Sequence, residues 1–120
     1  MKKTKVAILG SGFIASIHLE SYKRFVHDAE VVAVYARDVD KAKSFAEAHG
    51  IGEFYSDIDQ LLAHCECEII DICLPNYLHY EACIKSARAG KHVIIEKPLA
   101  LTLEQADKMI AVCHEHNRKV

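Results

Sequence analysis

The chain has 120 residues, 51% of them hydrophobic and 27% charged, with a formal net charge of -2. That length suits one domain able to bury a core without staples, and the near-neutral balance speaks against a nucleic-acid binder, which carries a basic excess. No apolar run approaches the roughly 20 residues that span a bilayer, and five cysteines, an odd count, point to free thiols in a reducing, cytoplasmic setting.

The opening MKKTKVAILGSGFIAS imitates a signal peptide only until Gly10 and Gly12 break its apolar run. Lys5 to Leu9 reads as a short strand, and Phe13 to Phe25 as a helix with Ile14, Ile17, Ser21 and Phe25 at helical spacing. Val31 to Tyr35 is a second strand. Asp40 is the expected cap of a helix running to about His49, stopped by Gly50 and Gly52. Phe54-Tyr55 is a brief strand, and Asp57 opens a helix carrying Leu61 and Leu62. Glu68 to Leu74 is the next strand, Tyr77 to Ala89 a helix ended by Gly90, and His92 to Ile95 a strand buried on both faces. Thr102 and Gln105 form a capping box, followed by Leu103, Ala106, Met109, Ile110 and Cys113 on one stripe. Lys119 and Val120 read as the opening of a further strand.

Strands alternating with helices predict an α/β fold of Rossmann type: a parallel sheet with helices on both faces, in three α/β/α layers, with residues 1–120 forming one domain. Such sheets bind ligands at the carboxyl ends of their strands. Those ends here are Gly10-Ser11-Gly12, Ala36-Arg37-Asp38, Leu74-Pro75-Asn76 and Glu96-Lys97-Pro98. Unusual residues at four strand ends, on one rim, mark a site.

The segment GSGFIA, from Gly10 through Ser11, Gly12, Phe13 and Ile14 to Ala15, follows a strand and opens a helix, the context of a dinucleotide fingerprint. Gly10 allows the tight turn, Gly12 admits a pyrophosphate, and Ala15 is small enough for helix–strand packing. At the second strand's end an NAD binder places an acid for the ribose 2′-OH, whereas this chain has Ala36 followed by Arg37. A guanidinium suits a 2′-phosphate, so the cofactor is NADP or NAD with the balance toward NADP. Asp38 turning inward to a ribose is the alternative.

The stretches AILGSGFIA, VVAVYARDVDKAKSFAEAHG, YSDIDQLL and DICLPNYLHYEACIKSARAGKHVIIEKPLALTLEQA together resemble the Gfo/Idh/MocA family of nicotinamide-dependent sugar and polyol oxidoreductases. The resemblance spans nearly the whole chain and is most specific at AGKHVIIEKPLA. It implies an N-terminal Rossmann domain, whose family partner, a larger domain completing the substrate pocket and supplying a further catalytic pair, is absent from these 120 residues. It also implies that Lys97 lies beside nicotinamide and substrate as the catalytic residue, assisting proton transfer. Glu96 and Pro98 would shape the nicotinamide-ribose pocket, Asn76 and His79 would line the cofactor, and the Lys97-Pro98 bond would be cis. This resemblance supplies a reason for a buried strand to end in acid, base and proline.

Other signals are weaker. HCECE (His64 to Glu68) and CHEH (Cys113 to His116) lack the spacing of a metal site, so no metal is expected. Cys73 and Cys83 read as small core residues, and His18 and His92 as packing or surface histidines. The leading function is a dehydrogenase acting on a CH–OH group of a small sugar-like or polyol substrate, with no nucleic-acid or membrane partner. The alternatives are an NAD(P)-binding module without chemistry, which needs no Lys97, and a methyltransferase, which expects an acid at position 36. An uncovered sheet edge leads to the expectation of a homo-oligomer.

Overall fold

The structure is a computed structural model and describes residues 2–120. Its five strands are β1 (Thr4–Leu9), β2 (Ala29–Tyr35), β3 (Glu53–Tyr55), β4 (Ile69–Ile72) and β5 (His92–Ile95). All neighbours are parallel, in the order β3-β2-β1-β4-β5. Parallel neighbours cannot be joined by a hairpin, so helices carry the chain back: α1 (Phe13–Phe25), α2 (Val39–His49), α3 (Ile58–His64) and α4 (His79–Arg88), with α5 (Leu103–Glu115) after β5. The Rossmann-type α/β architecture read from the alternation is the one found.

The two faces of the sheet are covered unequally. Ile8 and Val34 pack beneath Ala15 and Leu19 of α1 and Phe45 and Ala46 of α2. On the other face, Leu9, Ile70, Ile72 and Val93 pack against Leu61, Ala82, Cys83, Met109 and Cys113 of α3, α4 and α5. Burying a leucine such as Leu19 or Leu61 contributes about 1.5–3 kcal/mol each. With only α1 and α2 on the first face, β5 lies uncovered there and Ile94 is 42% exposed. The expectation of burial on both faces therefore fails for this strand.

Two helical stripes also differ from their spacing. On α1 the buried residues are Ala15 and Leu19, while Ile14, Ile17 and Phe25 are exposed. A helix following a glycine turn lies close to the sheet, and small side chains at the near end permit that approach. On α5 the buried set is Met109, Val112 and Cys113, with Leu103 and Ile110 outside. The cap of α2 is Asp38 rather than Asp40: its Oδ1 accepts from the backbone N–H groups of Asp40 (2.8 Å) and Lys41 (3.3 Å). Thr102 caps α5 as expected, accepting from Gln105 N–H, while the Gln105 amide oxygen accepts from Leu101. Near Val120 the Lys119 carbonyl accepts from Val93 N–H at 2.9 Å on the outer edge of β5, but Lys119 and Val120 form no strand, unlike the expectation.

The order of strands reverses between β1 and β4, so the loops leaving them part in opposite directions and open a crevice. Gly10 stands at this point with φ +123°, and a Cβ there would meet the Cys73 carbonyl oxygen at 2.7 Å. Both facts require glycine. A second tie joins the exits of β4 and β5. The ring of His79, 1% exposed, sets Nε2 2.8 Å from the Leu74 carbonyl and Nδ1 2.9 Å from the Pro98 carbonyl. His79 is thus turned into the core to hold two loops together, and does not line the cleft as the resemblance implied. A short 3-10 turn at Asn76–Leu78 precedes α4 and rotates position 79 inward.

Two substitutions test these ties by denaturant unfolding. Gly10→Ala combines left-handed strain with a backbone clash and is expected to lose about 2–4 kcal/mol. His79→Ala leaves a cavity and removes the ring that sits between two loop carbonyls, with a loss of similar size, about 2–4 kcal/mol. Wild-type stability in either variant would contradict the corresponding tie.

Candidate functional site: a cleft at the carboxyl rim of the sheet

A cleft of about 980 Å³ opens where the strand order reverses. Gly10, Ser11, Gly12, Phe13 and Ile14 form one wall, Ala36, Arg37, Asp38 and Lys41 the second, and Cys73, Leu74 and Pro75 the third. Nine of the residues expected to bind a cofactor are thereby brought together: Gly10 through Ile14, Ala36, Arg37, Leu74 and Pro75. Asn76, His79, Glu96, Lys97 and Pro98 stand outside this lining.

The wall at α1 is prepared for an anion. Asp38, Asp57 and Thr102 cap α2, α3 and α5 with side-chain acceptors, whereas α1 begins at Gly12 with no side-chain cap and no acid in its first turn. Its free N–H groups and the positive end of its dipole therefore face the cleft. Gly12 has an ordinary φ of -88°, and a Cβ there would meet nothing within 4 Å. Neither strain nor packing asks for glycine at position 12. What the missing side chain leaves is open space against the helix end, the cradle a pyrophosphate fills. Nearby, Asn76 Oδ1 is buried without a hydrogen-bond partner, and a buried acceptor in that state is matched by a ligand donor or water. These observations fit a dinucleotide.

At the second wall Ala36 is buried and Arg37 exposed. One carboxylate oxygen of Asp38, Oδ1, is engaged as the cap of α2, while Asp38 itself stands in the cleft wall. The cations at this end are Arg37 and Lys41.

Beyond the third wall, at the end of β5, lie Glu96, Lys97 and Pro98. Lys97 and Pro98 are exposed, and the bond between them is cis, as the resemblance implied. Glu96 N–H donates to the Ile72 carbonyl at 3.1 Å, which continues the β4–β5 ladder into the corner. The Glu96 carboxylate accepts from His18 Nε2 at 2.8 Å. On the ring's other side, His18 Nδ1 lies 2.8 Å from Asp71 Oδ2, which also accepts from the Tyr22 hydroxyl at 2.8 Å. Cys73 Sγ is 3.3 Å from the same ring nitrogen.

This cluster is what sequence reasoning missed, since His18 is neither a surface nor a simple packing residue. The signal was present in Asp71, a lone acid inside the apolar run Ile69–Ile72, because a charge buried in a sheet requires a partner. His18 and Tyr22 stand four residues apart and so share the face of α1 that lies on β4. Burial pushes the His18 pKa down, yet hydrogen bonds and charges from Asp71 and then Glu96 outweigh it, and the net shift is upward from 6.5. Glu96 is lowered, chiefly by its bond to His18. Burial and then Asp71 raise both the Tyr22 phenol and the Cys73 thiol, which keeps them protonated.

Among the described residues, one set gathers three possible metal donors, His18, Asp71 and Cys73, with ligand atoms within 4.8 Å. Both imidazole nitrogens are already bonded to carboxylates, so the set reads as a proton-sharing network. In the two stretches weighed for metal, His64, Glu66, His114 and His116 are exposed, while Cys65, Cys67 and Cys113 are core. Cys83 is also core. His92 lies at the open edge of β5, where Nδ1 accepts from Lys119 N–H at 2.9 Å.

Known proteins share this fold. The chain is 36% identical over 105 residues to D-glucoside 3-dehydrogenase of Escherichia coli, covering 88% of this chain and 30% of that protein. It is 33% identical over 107 residues to the scyllo-inositol 2-dehydrogenase (NADP(+)) of Bacillus subtilis, covering 89% and 32%. The WlbA dehydrogenase of Bordetella pertussis, solved in complex with NADH and UDP-GlcNAcA, superimposes with a TM-score of 0.93 at 25% identity, over 98% of this chain and 35% of that one. The chain thus spans about a third of the length of the relatives it matches. The Gfo/Idh/MocA model, described as an oxidoreductase family with an NAD-binding Rossmann fold, matches residues 4–120, and the chain belongs to that family.

Proposed function

We propose that the chain is the cofactor-binding part of an NAD(P)-dependent dehydrogenase that oxidises a CH–OH group of a sugar, polyol or related compound. The observation that carries this reading is the convergence on one rim of the uncapped α1 terminus with its Gly12 cradle and, beyond His18, the exposed Lys97. Hydride transfer is the chemistry that a bound nicotinamide supplies. The chain's own residues bind, orient and carry the proton. Backbone N–H groups of α1 hold the pyrophosphate, Asn76 offers its unpaired acceptor, and Pro98 shapes the wall of the nicotinamide end. Lys97 exchanges a proton with the substrate hydroxyl. The likeness to a glucoside dehydrogenase and an inositol dehydrogenase supports the substrate class.

The second part of the proposal is a preference for NADP. Ala36 offers no side-chain acceptor for a ribose hydroxyl, Asp38 Oδ1 is engaged as the α2 cap, and Arg37 with Lys41 supplies positive charge at that end. The similarity to an NADP(+)-dependent enzyme supports it, while the likeness to one solved with NADH keeps NAD as the other candidate. A reducing, cytoplasmic setting is consistent with five free cysteines. No helix among the described residues is long and apolar enough to cross a membrane. Self-association through the exposed Ile94, Leu101 and Leu103 belongs to the same proposal.

Fluorescence titration of the chain with NADPH and NADH tests the cofactor assignment. Losing one charge-assisted contact of about 1.5–3 kcal/mol should weaken NADPH binding by roughly tenfold to a hundredfold in Arg37→Ala. NADH should change by less than about twofold, and equal losses for both cofactors would sink the assignment. Gly12→Ala, which strains nothing, should keep its unfolding midpoint while binding of both cofactors falls at least about tenfold. For the catalytic assignment, Lys97→Ala in the intact protein should keep the NADPH dissociation constant within about threefold and lower kcat on sugars or inositols by about a hundredfold or more. A variant that binds poorly and turns over normally would make Lys97 a binding residue only.

A further inference from the structure

We propose that His18 is a positioning residue, which by bridging Asp71 and Glu96 fixes the Glu96 carboxylate and with it the Lys97 corner. The inference rests on reading the rim as a nicotinamide cofactor site, and it adds a pH-dependent latch to that site.

The geometry sets the charge state. Both ring nitrogens lie 2.8 Å from a carboxylate oxygen. A carboxylate only accepts, so both nitrogens must donate, and a ring that donates twice is an imidazolium. A neutral ring would turn a lone pair toward one carboxylate. The titratable groups around the ring are Tyr22 on its own helix, Asp71 and Cys73 on and after β4, and Glu96 followed by Lys97 after β5. Tyr22 and Cys73 are held protonated, so the proton that moves in the neutral range is the one on His18.

Which bond is lost on deprotonation follows from exposure. The Asp71 side chain is 1% exposed and Glu96 30%. Leaving Asp71 with less hydrogen bonding inside the protein is the more costly outcome, whereas Glu96 can turn to water. The neutral ring therefore keeps its proton on Nδ1 toward Asp71 and releases Glu96. Glu96 is joined directly to Lys97, and its own N–H is the bond that ties the corner to β4. Releasing the carboxylate frees the corner from α1. His18 also touches Cys73 in the cleft wall, so the same ring links the pyrophosphate side of the rim to the lysine side.

The sign of the pH effect is determined. His18 is raised in the folded state, so the latch is complete below about 6.5 and opens as pH rises through the higher folded value. Glu96 is lowered, so at the acid end the latch persists below 4.5 and fails only as pH falls through the folded Glu96 value.

The test is carbon-detected NMR of the chain from about pH 6 to about pH 10, following the His18 ring and the Lys97 and Pro98 carbons, with NADPH dissociation constants measured across the same range. The expected result is a His18 midpoint above 6.5, with Lys97 and Pro98 signals moving at that midpoint and NADPH binding weakening about threefold to tenfold across it. Glu96→Gln should lower the His18 midpoint and remove the coupled movement of Lys97. His18→Gln should abolish both pH dependences, and Asp71→Asn, if folded, should move the midpoint further down. A His18 midpoint at or below 6.5, or Lys97 and Pro98 signals unmoved through it, would overturn the proposal. Failure of NADPH to bind at every pH would overturn the cofactor reading, while the NMR arm would still decide the latch.

Discussion

At the reversal of strand order, the exit of β1 presses against the exit of β4, and there is no room for a side chain between them. Gly10 meets the Cys73 carbonyl at a distance no Cβ tolerates. That contact sets where α1 begins, and the start of α1 sets which way its free N–H groups point. It also brings Cys73, and with it Asp71 one residue pair inside the sheet, beneath the residues of α1 one turn further on. The cleft and the buried charge cluster are therefore two outcomes of one close approach.

The cluster shows how a Rossmann sheet accommodates an acid in its interior. Asp71 lies on an interior strand with Ile70 and Ile72 turned to the opposite face, so its carboxylate meets α1 and the Cys73 thiol, 3.6 Å from Oδ1. Tyr22 and His18 answer it from successive turns. Left alone, a buried carboxylate would be strongly unfavourable; bonded to a phenol and an imidazolium, it becomes an anchor. A hydrophobic residue at position 71 would satisfy the packing as well, but it would hold nothing at the rim.

Much of this was legible in the residues. Alternating apolar runs and helical stretches gave the sheet and its layers, because period and length differ so strongly between a buried strand and an amphipathic helix. The glycine-rich turn gave the cleft, since few other contexts put two glycines between a strand and a helix. What stayed hidden depends on contacts made at a distance in sequence. His18 and Asp71 are 53 residues apart, and nothing local to either announces the other. His79 was misassigned for a similar reason: resemblance placed it near the site, but one 3-10 turn rotates it into the core. The α1 stripe misled because helical spacing identifies a helix without saying which face is covered. On this helix the face against the sheet carries alanine, leucine, histidine and tyrosine, and the larger aliphatics look outward.

The capping of α2 by Asp38 separates two tasks that lie on adjacent residues. The carboxylate at position 38 anchors the helix, and the side chain at position 37 faces the cleft with no hydrogen bond or ion pair among the described residues. Changes at 37 can therefore alter the charge that a ligand meets while the helix start stays fixed. Changes at 38 loosen the helix whatever they do to the ligand. Adaptation of this wall has one free residue and one constrained residue side by side, so a shift in ligand preference is open to a single substitution that the fold does not oppose.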